Sequence, residues 1–375
     1  MAKKKKINWE MCLTMLMYIS LGFFAGICFG RFIAGRDMGY LIFLYYLLFV
    51  LSVYAFMLLQ IIIHEAGHLV FGLLSGYKFS SFRIGSVIFV KSGERIKIKR
   101  YSLAGTAGQC LMTPPEARDG KIPYVLYNLG GVLFNLISGT ISLALYLLLP
   151  KMSFMCFLSG INAGWAYLMA LSNGIPMKLG LVNNDGHNVF SLGKNKAALK
   201  AFENQFRIND LITKGVRLKD MPAALFELPA MEDMNNSLVS AGAVFTCNRL
   251  MDEHRFDEAK TLMEAMLRNT SELVGIYKNL LTCDIIFCEL IGNGDKEKVK
   301  RLFDKKQQKF MASMAKNPSV IRTQYAYYSL CENDREKANG YKMRFERTAL
   351  SYPYSAEIES ERELIELADL QKGEL

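Results

Sequence analysis

His64, Glu65 and His68 stand in one pentapeptide, His-Glu-Ala-Gly-His. Residues four apart share one face of a helix, so the two imidazoles can grip one Zn2+ from the same side. Glu65 then sits beside the metal as a general base that activates water. Such a string also arises by chance in soluble helices. Here, though, residues 54–63 before it and 69–74 after it are almost wholly apolar. Ionisable groups at membrane depth cost about 2.5–3.5 kcal/mol each and are rarely idle. The chemistry these residues predict is water activation inside a bilayer.

Two histidines leave zinc short, because a catalytic site takes three protein ligands and one open position. Asp185-Gly186 follows the last apolar run and is the candidate third ligand; His187, two residues on, is the alternative. His254, in the polar stretch His-Arg-Phe-Asp, reads as a solvated surface residue.

Four apolar runs must position these groups, at about 11–34, 39–74, 123–149 and 153–175. The second, helical throughout, would span about 52 Å against a hydrocarbon core of about 30 Å. It is predicted to tilt or break, with His64 near its C-terminal end. Lys3 to Lys6 precede the first run, which is too long for a signal-peptide core and reads as a retained span.

The net charge of +10 lies wholly in the first half of the chain. Residues 1–189 hold 17 basic and 7 acidic side chains, whereas 190–375 hold 28 of each. The loop at 76–122 alone carries nine basic residues against three acidic. That placement is orientation charge rather than a nucleic-acid footprint. It predicts a multi-pass cell-membrane protein with both termini cytoplasmic and the metal motif near the cytoplasmic face. The eight cysteines form no CxxC pair, which argues against a zinc ribbon or a disulfide framework.

The 76–122 loop is not simply polar. Residues 82–90 and 95–99 read as strands around the turn Lys91-Ser92-Gly93-Glu94, a hairpin whose edge could pair with an extended peptide or simply shield the site. Past residue 190 the chain reads as amphipathic helices. Ala259, Val299 and Ala338 each follow a similar polar helix start, at spacings of 40 and 39 residues. The pattern resembles paired-helix solenoids of the tetratricopeptide kind. The expected fold is thus mainly α: a polytopic helical core over 1–189 with a small β-hairpin loop, and a cytoplasmic helical repeat-like domain over 190–375.

The ordered motifs of residues 40–190 resemble those of the site-2 proteases, a family of intramembrane zinc metalloproteases. Four elements match in order: His64, Glu65 and His68; Gly131-x-x-x-Asn135; Asn173-x-x-Pro176; and Asp185-Gly186. The chain departs in the eight residues between Pro176 and Asp185, in Asn184 where the family usually has Leu, and in Gly130-Gly131-Val132 at the third-span motif. The resemblance implies zinc held by His64, His68 and Asp185, Glu65 as the base, and Asn135 as an oxyanion donor or a helix–helix hydrogen-bonding residue. It implies a transmembrane protein or peptide as substrate and the lipid bilayer as surroundings. The tail would recruit substrates or protein partners. Another class of membrane zinc protease takes a later Glu as third ligand, but Glu94 and Glu116, the two that follow Glu65 in this half, both lie in the loop. The non-enzymatic alternative is a scaffold that recruits partners through the helical tail.

Overall fold

The computed structural model describes residues 9–36, 39–93, 95–103, 106–116, 122–179, 182–193, 195–230, 232–270, 273–292 and 294–373. Lys3 to Lys6, Glu94 and residues 117–121 of the basic loop lie outside the described residues.

The protein is mainly helical, and among the described residues four helices are long and apolar enough to cross a membrane. They are α1 (Trp9–Ile33), α2 (Ile42–Leu74), α3 (Tyr124–Leu148) and α4 (Phe154–Gly174). A single 3-10 turn, Gly39–Leu41, leads into α2. Of the two outcomes expected for the second run, tilt or break, it does not break: α2 is one helix of 33 residues. A helix satisfies every backbone N–H and C=O within the segment, which apolar surroundings demand.

Contacts divide the chain into two units. The first holds the four long helices with residues 183–190; α2, α3 and α4 pack on one another, and α1 packs on α4. Part of its core is aromatic, with Phe32 stacked on Phe157 at 5.1 Å beside Tyr146 and Trp165. α2 and α3 cross where Gly67 faces Gly130. A Cβ on Gly67 would lie 2.3 Å from the Gly130 carbonyl oxygen, so only glycine permits this approach. After α4 come the short strands β5 (Lys178–Leu179) and β6 (Val182–Asn183), then α5 (Asp185–Leu192).

The second unit joins residues 77–122 to the chain from 191 onward, so by contacts the loop groups with the tail. The expected hairpin is present as β2 and β3 and belongs to a four-stranded antiparallel sheet: β1 (Lys78–Ile84), β2 (Val87–Ser92), β3 (Arg95–Arg100) and β4 (Gly108–Thr113), in the order β3-β2-β1-β4. The single strand expected over 82–90 is two, because Gly85 turns the chain at φ +56°. Ile88, Val90 and Met112 are buried, and α6 (Lys196–Thr213) packs on β2 and β4. Phe89, Ile96 and Ile98 are exposed.

The tail continues as α7 (Ser237–Asp252), α8 (Phe256–Asn269), α9 (Gly275–Ile291), α10 (Lys296–Leu302), α11 (Lys305–Ser313), α12 (Pro318–Ala326), α13 (Arg335–Ser351) and α14 (Ser355–Gly373). Ala259, Val299 and Ala338 each occupy the fourth position of a helix and are buried. Those helices differ in length, 14, 7 and 17 residues, so the spacing records three similar helix starts rather than a uniform repeat.

Candidate metal centre

His64 and His68 lie one turn apart on α2, their rings near-perpendicular with centroids 4.8 Å apart. Asp185 opens α5. Three atoms converge. His64 Nε2 lies 3.0 Å from Asp185 Oδ2, His68 Nε2 lies 3.4 Å from the same oxygen, and the two Nε2 atoms are 3.2 Å apart. Among the described residues this is the His/Cys/Asp/Glu group arranged to hold a metal ion. A tetrahedral ion with bonds of about 2.0–2.1 Å spaces its ligand atoms by about 3.3–3.4 Å, close to this triangle.

The remaining ring nitrogens decide the tautomers. His68 Nδ1 lies 2.8 Å from the Tyr127 backbone oxygen, which can only accept, so Nδ1 carries the proton. His64 Nδ1 lies 2.7 Å from Asn135 Oδ1. Asn135 is oriented by α2 itself: its Nδ2 donates to the Gln60 backbone oxygen at 3.1 Å and to Gln60 Oε1 at 2.8 Å, leaving its oxygen for His64. His64 therefore also donates from Nδ1. With each Nδ1 donating, each ring when neutral offers its Nε2 lone pair to the point that the Asp185 oxygen also faces, the tautomer a metal ligand needs. To ligate a metal, Asp185 must be ionised and both imidazoles neutral.

Two glycines make the room. A Cβ on Gly131 would lie 2.5 Å from the His64 ring, and one on Gly186 would lie 2.2 Å from the Gly174 carbonyl oxygen. Gly131 and Asn135 share a face of α3, one admitting the imidazole and the other binding it.

The structure thus brings His64, His68 and Asp185 together. Glu65 is buried next to them on α2. Asn135 is fully buried, and its amide donors are directed at Gln60. That geometry gives it the role of orienting His64 rather than that of an oxyanion donor. Asn173 donates back to Met169 of its own helix at 3.0 Å. His187 stands outside the ligand group, and its backbone N–H donates to Asn184 Oδ1 at 2.9 Å. His254 is partly exposed, 3.5 Å from Glu363 and stacked on Phe256.

Sequence reasoning missed the polar chain behind His64. Gln60 Nε2 donates to Asn162 Oδ1 at 2.7 Å and to Ser138 Oγ at 2.9 Å, and Asn162 Nδ2 donates to Ser142 Oγ at 2.7 Å. A signal was present. Gln60, His64 and His68 recur every four residues on α2, and Asn135, Ser138 and Ser142 share a face of α3. Polar groups inside apolar helices are expensive unless they pair.

Compared with known proteins, the chain matches no family model, no curated protein and no solved structure.

Proposed function

We propose that this chain is an intramembrane zinc metalloprotease of the site-2 kind, hydrolysing peptide bonds in or near the transmembrane segments of other membrane proteins. The observation that supports it most is the triangle of His64 Nε2, His68 Nε2 and Asp185 Oδ2 at 3.0–3.4 Å, with both Nδ1 protons committed elsewhere. Two neutral imidazoles and one carboxylate suit zinc and leave a position for water. Held there, the ion would lower the pKa of a water towards about 7 and polarise a carbonyl. Glu65 takes the proton of the attacking water and returns it to the leaving amine. Asn135 and the Tyr127 carbonyl keep the two rings in their ligating tautomer. A substrate helix must unwind locally, because its carbonyls are otherwise hydrogen-bonded.

The four long apolar helices serve as membrane spans in this reading. The basic loop at 76–122 and Lys3 to Lys6 face the cytoplasm, which puts both termini on that side. The helical tail, with its similar starts at Phe256, Lys296 and Arg335, recruits substrates or partners.

Purified in detergent, the protein is expected to carry one zinc per chain and to lose it in Asp185→Ala. Membranes of cells carrying Glu65→Gln should accumulate a single-span protein that wild-type cells cleave. A zinc-free wild-type protein would favour the non-proteolytic scaffold. Cleavage by Glu65→Gln would remove Glu65 from the mechanism.

A further inference from the structure

We propose that Asn184 is the residue that positions Asp185 in the metal triangle, an inference that rests on the zinc reading above. Asn184 immediately precedes the carboxylate ligand and is 4% exposed. Its side-chain amide makes four hydrogen bonds. Nδ2 donates to the Ser172 backbone oxygen at 2.7 Å and to that of Ile175. Oδ1 accepts from the backbone N–H of Met177 at 3.0 Å and of His187 at 2.9 Å. Its own backbone N–H donates to Met177 O at 3.2 Å.

Each bond answers a defect in the chain. Ser172 O would take its helical bond from residue 176, but that residue is Pro and has no N–H. Ile175 O lies just past the end of α4, where carbonyls have no helical donor. Asn184 Nδ2 supplies both. At the other end, His187 N–H lies in the first turn of α5, where a helix supplies no acceptor of its own, and donates to Asn184 Oδ1. One amide therefore fastens the end of α4 to the start of α5. Gly186 fits against Gly174 and Asn173 in the same seam, where a Cβ would collide with the Gly174 carbonyl and crowd that of Asn173. The carboxylate of Asp185 is one peptide unit from this clamp and reaches both Nε2 atoms from it. A leucine of similar shape at 184 would fill the space and make none of the four bonds.

The test uses the full chain in detergent, loaded with Co2+ as a spectroscopic stand-in for zinc. Four proteins are compared: wild type, Asn184→Leu, Asn184→Asp and Asp185→Ala. Asn184→Leu is expected to bind Co2+ about 10–100-fold more weakly, the cost of losing an outer partner of a ligand. Its metal-saturated visible spectrum should move to that of Asp185→Ala, because the carboxylate no longer reaches the ion. Asn184→Asp keeps both accepting bonds and should retain the wild-type band with a smaller loss of affinity. A purely structural role would lower the stability of the variants yet leave the saturated spectrum at the wild-type position, and that result overturns the proposal. If Asn184→Leu does not fold, Asn184→Asp and Asn184→Ser are judged by the same band. Absence of a cobalt band in every protein, wild type included, would instead overturn the zinc reading on which this one rests.

Discussion

The two units bury ionisable groups in opposite ways. In the helical tail, Arg322 on α12 is 1% exposed and is flanked by Asp284 on α9 at 2.5 Å and Glu361 on α14 at 2.8 Å. The guanidinium pairs with both carboxylates, so the cluster supplies its own counter-charge, although it carries one carboxylate in excess and Arg322 Nη1 has no hydrogen-bond partner among the described residues. Among the long apolar helices, His64, His68 and Asp185 bring three potential ligand atoms to a common point, with both Nδ1 atoms hydrogen-bonded elsewhere. With both imidazoles neutral, as ligation requires, the Asp185 charge has no cationic partner among these ligand atoms. Taking charge out of water is costly unless it is compensated. The tail meets that cost with its own guanidinium; in the zinc reading, the site among the apolar helices leaves it to the ion. The difference separates a buried structural network from a buried site.

Loss of the base tests the functional half of this contrast hardest. Glu65→Gln keeps both imidazoles and Asp185, so zinc content should hold while cleavage falls by about 10²–10⁴-fold. Zinc analysis and turnover on the same preparation check this, and equal turnover would erase the distinction between site and network. The tail cluster should respond differently. Arg322→Met leaves two buried carboxylates uncompensated and should cost the tail unit about 3–5 kcal/mol. Adding Asp284→Leu and Glu361→Leu should recover most of that loss, because an apolar replacement of a complete cluster is often near neutral. Pulse proteolysis in urea reads both, and zinc content should not change in either. No apolar replacement of the His64 triangle can restore activity in the same way. A smaller effect is expected at Asn135. Asn135→Ala frees the His64 Nδ1 proton from its acceptor and should weaken zinc binding by about 10–100-fold, measured by chelator competition. Unaltered affinity would mean that α2 alone fixes the ring.

Much of the first unit was legible because apolar composition over a span length admits few structures. The expected runs at about 39–74 and 123–149 end within a few residues of Ile42–Leu74 and Tyr124–Leu148. The i, i+4 histidines likewise fixed a shared helix face before any fold was known. The sheet was less legible. β4 reads Gly-Gln-Cys-Leu-Met-Thr, without clear alternation, and pairs with β1 across a long stretch of chain. The partners of Gln60 and Asn162 depend on how α2, α3 and α4 pack, which no local pattern encodes. Asn184 looked like a departure from a motif, and its four bonds exist only once α4 and α5 meet.

The mildest test lies at the edge of the tail cluster, where the charge balance is least complete. Glu357 sits one turn before Glu361 on α14 and accepts a hydrogen bond from Tyr352 Oη at 2.7 Å. Burial pushes its carboxyl up to about 7, the Tyr352 hydrogen bond opposes the rise, and the neighbouring Glu361 adds to it. An unfolded glutamate titrates near 4.3. Between these values the folded protein holds a proton that the unfolded chain releases. Stability should therefore rise as pH falls through about 7, be fully gained near the unfolded value, and be lost again as pH climbs back. Solvent screening limits the effect to about 1–2 kcal/mol. The urea midpoint of the tail unit, read by pulse proteolysis at pH 5, 6, 7 and 8, should fall across this window in the wild type and flatten in Glu357→Gln. Arg322 remains between Asp284 and Glu361 in that variant, so the rest of the cluster should hold its stability. Equal pH slopes for the two proteins would show that Glu357 is ionised in the fold, and that the balanced network extends to the edge of the unit.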